Sequence, residues 1–142
     1  MREILFRGKT IKTGKWVEGL LWKKKYKSNK WFISCFPDKD DNEECFVVDP
    51  ETVCQFTGLT DKNGVKIFEN DIIRDCNEDN EVFTVKYYAH RRYPAFDCEP
   101  EMHCDCNGLS YLMETGALAV IGNIFDNPEL MEGGAIDDET MA

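Results

Sequence analysis

Asp61-Lys62-Asn63-Gly64 separates two short apolar runs, Phe56 to Leu59 and Val65 to Phe68. Asn-Gly is the strongest short-range hairpin signal, because both residues tolerate the positive φ that a tight two-residue turn requires. Glu69-Asn70-Asp71 makes a second tight turn, and Ile72-Ile73 returns to an apolar environment. Asp61, Glu69 and Asp71 are also the groups a metal or acid-base site would use. Turn chemistry accounts for them without a ligand: Asp and Asn hydrogen-bond nearby backbone and tolerate turn conformations.

The same pattern recurs along the chain. Ile4 to Gly8, Lys15 to Trp22, Trp31 to Phe36, Cys45 to Val48, Val53 to Thr57, Val82 to Tyr88 and Leu118 to Ile124 are short runs rich in aromatic and β-branched residues, each ended by a turn. Long Ala/Leu/Glu/Lys stretches with a helical period are absent. The expectation is a β-rich chain. Asp49-Pro50-Glu51-Thr52 reads as a turn, or one helical turn with Asp49 as cap and Pro50 in first position, and Asn127-Pro128 opens another. His90 to Asn107, rich in Cys, Pro and charge, reads as a long loop or protruding arm.

With 142 residues, 42% of them hydrophobic, the chain can bury a core as one domain or as two small subdomains sharing one. Its net charge of -10 opposes wrapping a nucleic-acid backbone with the whole surface. The charge is unevenly placed. Residues 1–31 hold ten Lys or Arg against Glu3 and Glu18, whereas the remainder holds seven against twenty-five. That asymmetry suggests an oriented partner contact or self-association. No apolar run reaches membrane-spanning length, and MREILFRGKT is too short and too charged for a signal peptide, so a cytoplasmic protein is expected. Seven Cys, an odd number, fit free thiols better than a disulfide framework.

Four kinds of chemistry can be weighed. Asp38, Asp40 and Asn42 occupy positions 1, 3 and 5 of a calcium-loop pattern, but Glu43 stands where the turn needs Gly and Asp49 where a bidentate Glu is needed, which favours a solvated acidic loop. Cys98, His103, Cys104 and Cys106, with His90 nearby, are ligand types that zinc prefers. Their spacing lacks a CxxC knuckle, which favours loop thiols and leaves a clipped metal as the alternative. No GxSxG, Walker or GxGxxG pattern marks a reaction, and a Cys nucleophile would depend on the two His in the irregular arm, so no catalytic residue is assigned and no cofactor is expected. Finally, WKKKYKSNKW interleaves Trp22, Tyr26 and Trp31 with Lys23, Lys24, Lys25, Lys27 and Lys30. Aromatics beside cations suit single-strand binding, and Lys on an exposed hairpin suits protection against edge-to-edge aggregation with the aromatics packed inward.

QFTGLTDKNGVKIFENDII, the V-x-Y strand at Val85 to Tyr87, and VIGNIFDNPELM together resemble the YopX family of bacteriophage and prophage proteins, as do IxFRGK…TGKWVEGxLW and VDPETVCQFTGL. The resemblance covers roughly residues 2–131, apart from 88–115. Asn70 departs from it, standing where Gly is expected. The resemblance implies a β-rich fold with an SH3-like barrel in its second half. Combined with the pattern of runs and turns, the expectation is a mainly β fold in which an N-terminal β subdomain (1–55) packs on a small SH3-like barrel (56–127), with an irregular arm inserted at about 89–110 and a short helical turn with an acidic tail (128–142). The resemblance implies no catalytic residues. The expected role is a phage accessory protein in the cytoplasm of the bacterial host, acting by binding a host or phage protein through the arm or through Trp22, Lys23, Lys24, Lys25, Tyr26 and Trp31. Self-association, single-strand binding and a DNA-mimicking acidic decoy are the alternatives.

Overall fold

The structure, a computed structural model, describes residues 3–26, 28–36, 39–77, 80–89, 94–100 and 107–131. The chain divides into two units, Met1–Gly58 and Leu59–Ala142. The fold is mainly β, as expected, and is built from antiparallel sheets. The strand pairings among the described residues do not define a closed barrel. No helix among these residues is long and apolar enough to cross a membrane.

The first unit holds β1 (Phe6–Lys9), β2 (Trp16–Lys23), β3 (Trp31–Ser34), β4 (Cys45–Val48) and the start of β5 (Cys54–Thr60), hydrogen-bonded in the order β4-β3-β2-β1-β5. The sheet curls. Past the end of β1, Thr10 bridges Val48, Ile11 N donates to Val47 O at 3.0 Å, and Asp49 N donates to Lys9 O at 2.9 Å. This covers the Val47–Val48 end of the open edge of β4, which would otherwise offer unpaired backbone groups to another chain. The inner face is lined by Gly8, Ile33 and Val48, all buried. A Cβ on Gly8 would stand 3.2 Å from Ile33 Cδ1 and 3.3 Å from Val48 Cβ, so the missing side chain makes room for the curl. Asp49 caps the 3-10 turn Pro50–Thr52, accepting from Glu51 N at 3.0 Å, and Thr52 Oγ1 accepts from Lys9 N at 2.9 Å.

In the second unit, β6 (Lys66–Phe68) follows β5 in hydrogen-bonded order, and β7 (Asp71–Asp75), β8 (Val82–Tyr88), β9 (Ala95–Glu99) and β10 (Leu118–Asn123) form a separate sheet, β10-β7-β8-β9. Helix α1 (Gly108–Thr115) covers one face. Ile67, Ile73, Phe83, Val85, Cys98, Leu109, Leu112 and Leu118 make a contiguous buried core there.

The stretch expected as an irregular arm contains β9 and the start of α1 among its described residues. Two local features explain the difference. In β9, Phe96 and Cys98 alternate with Asp97 and Glu99, and Tyr87 and Val85 of β8 face them across the ladder. Glu99 is exposed, and the buried Asp97 is satisfied by accepting from Leu109 N at 3.2 Å, at the start of α1, and from Cys98 N at 2.8 Å. In α1, Asn107 Oδ1 accepts from Ser110 N at 2.8 Å, Gly116 ends the helix at φ 70°, and Leu109 and Leu112 lie one turn apart toward the core. Eight residues bracketed by Asn and Gly were the signal for this helix.

Candidate functional site

The basic aromatic segment is the end of the β2–β3 hairpin. The register sets Leu20 opposite Ser34, Trp22 opposite Phe32, and Lys23 opposite Trp31. Side chains alternate between the two faces of a strand, so Trp16, Glu18, Leu20 and Trp22 share the face that points away from Ile33 and Val48. On that outer face the Trp22 and Phe32 rings stack, with centroids 4.3 Å apart and planes at 10°. Trp22 Nε1 donates to Ser34 Oγ at 2.8 Å, which fixes the indole in this pose. Leu20 is 51% exposed and Trp22 41% exposed.

Cations flank this strip. Arg7 Cζ and Lys9 Nζ lie 4.7 Å and 5.4 Å from the Trp16 ring centroid. At the hairpin tip Lys23 Nζ stands 5.4 Å from the Trp31 ring and Lys25 Nζ 5.9 Å from the Tyr26 ring. Lys24 N donates to Lys30 O at 3.4 Å, the last rung before the tip. Lys24, Lys25, Tyr26 and Lys30 are exposed. The structure thus brings Trp22, Lys23 and Trp31 to one end of a two-stranded ribbon, with Lys24, Lys25 and Tyr26 beyond it. Trp16, Leu20 and Phe32 extend the strip, and Arg7 and Lys9 flank it. The signal for Trp16, Leu20 and Trp22 was the period-two spacing within WVEGLLW. Trp22 does not pack inward with the core: it lies on the outer face.

The carboxylates of the second unit serve the backbone. Asp61 is buried; its Oδ1 accepts from Asn63 N at 2.8 Å and Val65 N at 2.9 Å, and its Oδ2 accepts from Val120 N at 2.9 Å. Burial pushes this carboxyl up, but the three backbone N–H groups, helped by Lys62, outweigh it and hold the group below the usual Asp range. Of the Asn63-Gly64 pair only Gly64 takes positive φ, at 80°, and Gly64 N donates to Asp61 O at 3.0 Å. The side chain of Asp61 therefore organises the turn, and Asn63 contributes its N–H in place of a left-handed conformation. Asn70 does adopt φ 70°, and its Oδ1 accepts from Lys86 Nζ at 2.9 Å. Asp71, also buried, accepts from Phe68 N at 2.7 Å.

Cys98, the first candidate zinc ligand, lies in the apolar core of the second unit. His103, Cys104 and Cys106, and His90, fall outside the described residues, as does Asp38 of the acidic loop. Among the described residues no group of three or more His, Cys, Asp or Glu is gathered as for a metal. Cys35 is half-buried; burial first, and then the Glu44 carboxylate, push its thiol pKa up, so it is a poor nucleophile.

The YopX protein family matches residues 5–132, most of the chain. The chain belongs to the YopX family. Among solved structures, the crystal structure of protein EF1440 from Enterococcus faecalis is similar, with a TM-score of 0.59 and 23% identity, covering 92% of this chain and 99% of that one. At that identity the likeness is one of fold. No curated protein matches this YopX chain.

Proposed function

We propose that this YopX-family chain is a phage- or prophage-encoded accessory protein that acts in the bacterial cytoplasm by binding another protein rather than by catalysis. The observation that carries the reading is the exposed Trp22–Phe32 stack on the outer face of the β2–β3 hairpin, held by Ser34 and flanked by lysines. A rigid aromatic pair with a polar handle and a charged rim is the usual composition of a protein-docking anchor. With the Val47–Val48 end covered, only a short stretch of the β4 edge is left, which favours face docking over strand addition there. Two further facts support protein over nucleic acid as the partner. Lys23 and Lys25 already lie over Trp31 and Tyr26, and the overall charge is -10. Against catalysis, the Asp61 carboxylate is committed to three backbone N–H groups.

The test is affinity capture from host lysate with the wild-type chain and with Trp22→Ser and Lys24→Glu/Lys25→Glu variants, each checked for unchanged melting. A discrete protein captured by the wild type and lost from both variants is expected. Retention of a labelled single-stranded oligonucleotide, weakened by the same variants, would replace the protein reading with single-strand binding.

A further inference from the structure

The outer face of the hairpin is polarised along β3. At one end, before Trp31, lies the tip with exposed Lys24, Lys25 and Lys30 and the partly buried Ser28. At the other end, after Ser34, the chain enters the loop to β4, where Asp41, Glu43 and Glu44 are all exposed, against the single base Lys39. Cys35 N donates to Glu44 O at 2.8 Å, so this loop leaves and rejoins the sheet next to the strip. Between the two ends the outward residues are apolar: Trp22, Phe32 and Val47 in one row, then Leu20 beside Ser34 and Cys45 in the next. Lys12 and Lys15, in the turn between β1 and β2, lie on the far side of β2 from β3. Glu18, on the same outer face as Leu20, sits opposite Arg7 of β1, and Arg7 and Lys9 lie over the Trp16 ring on the β1 side of β2, so the basic-to-acidic polarity holds along β3 and not along β1.

A strip that reads basic, apolar, acidic is complementary to itself after a half-turn. Two copies facing each other about an axis through the Trp22–Leu20 region would place each lysine tip against the other copy's acidic loop, with the apolar rows in contact. That is an isologous interface, in which one patch meets itself and the assembly closes at two. We propose that the occupant of this face is a second copy of the chain, paired by charge complementarity in an antiparallel arrangement. The proposal rests on the reading of this face as a protein-docking surface.

Sedimentation velocity from low to high micromolar concentration, at low and at high salt, tests it with two variants. Lys24→Glu/Lys25→Glu/Lys30→Glu makes both ends acidic, and Asp40→Lys/Glu43→Lys/Glu44→Lys makes both ends basic. The wild type is expected to dimerise at low salt, and each variant alone to bind itself about tenfold or more weakly. An equimolar mixture of the two variants should recover the dimer, because every tip then meets a loop of opposite sign. A chain that stays monomeric throughout, a dimer indifferent to both variants, or a mixture that does not recover association would each overturn the pairing. Monomeric protein that still captures a foreign partner in a Trp22-dependent way removes the pairing and keeps the docking surface. A charge-dependent dimer that captures nothing keeps the pairing and removes the foreign partner.

Discussion

Asp61 Oδ2 accepts a hydrogen bond at 2.9 Å from the backbone N–H of Val120, 59 residues further along the chain. The same carboxylate closes the turn that leads into β6, so one side chain fixes a local turn and ties it to the outer edge of the β10-β7-β8-β9 sheet.

Asp61→Ala removes the acceptor for three N–H groups, and each hydrogen bond to a charged group contributes about 1.5–3 kcal/mol. Allowing for water at the exposed turn, the loss should be about 3 kcal/mol in urea unfolding. Asp61→Asn should lose about 2 kcal/mol, since its amide oxygen can accept on only one side while its NH2 is set against a backbone N–H donor on the other. The folded carboxyl is held below its ordinary value, so its stabilisation is complete above the unfolded-chain pKa of about 4 and disappears as pH falls toward the folded value. The acid limb of the stability profile should therefore be shallower in Asp61→Asn. An unchanged acid limb would show that Asp61 does not drive it.

Gly19 lies in β2, where a Cβ would sit 2.0 Å from Ser34 O and 2.9 Å from Cys35 Cα. Those atoms are backbone, so β3 would have to move. Gly19→Ala should cost about 3 kcal/mol or more. Gly14→Ala meets no atom within 4 Å and carries only the strain of φ 71°, about 1 kcal/mol. Comparing the two melting temperatures separates close packing from backbone strain, and equal losses would refute the packing account.

Gly122 is covered by a side chain. A Cβ there would lie 2.5 Å from Asn127 Oδ1, the atom that accepts from Asn123 N at 3.2 Å. Gly122→Ala should cost about 1–2 kcal/mol by displacing Asn127, and markedly less when Asn127 is already Ala. Additive losses in that double-mutant cycle would mean the two positions act independently.

Thiol reactivity should follow exposure. Cys45 and Cys76 are exposed, Cys54 and Cys98 are buried, and Cys35 is half-buried with its thiol pKa raised by burial and Glu44. Among these five, iodoacetamide near neutral pH should modify Cys45 and Cys76 first and Cys35 slowly. Cys54 and Cys98 should react only under denaturant. Peptide mapping by mass spectrometry reads the order, and early labelling of Cys98 would contradict its place in the core.

Leu112, fully buried on α1, packs in the second unit's core with Cys98 and Val85. Leu112→Ala should cost about 3 kcal/mol through the cavity it leaves. A loss under about 1 kcal/mol would mean that α1 contributes little to that core.

Local chemistry was enough to find most strands, the Asp49 cap, and the left-handed turn at Asn70, because each depends on a few neighbouring residues. It also marked the turn at Asp61–Gly64, but not its mechanism. The acceptor there is a side chain whose third donor comes from Val120, and no window around residue 61 contains that partner. The same limit hid β9: its charges read as loop until β8 supplied Tyr87 and Val85 opposite Phe96 and Cys98. For the basic aromatic segment, composition named the residues and left their direction open. Period-two alternation says that Trp22 and Leu20 share a face. Which face is inside depends on the curl that brings Thr10 to Val48 and buries Gly8, Ile33 and Val48. Only that long-range closure puts the Trp22–Phe32 stack on the outside, where it can meet another molecule.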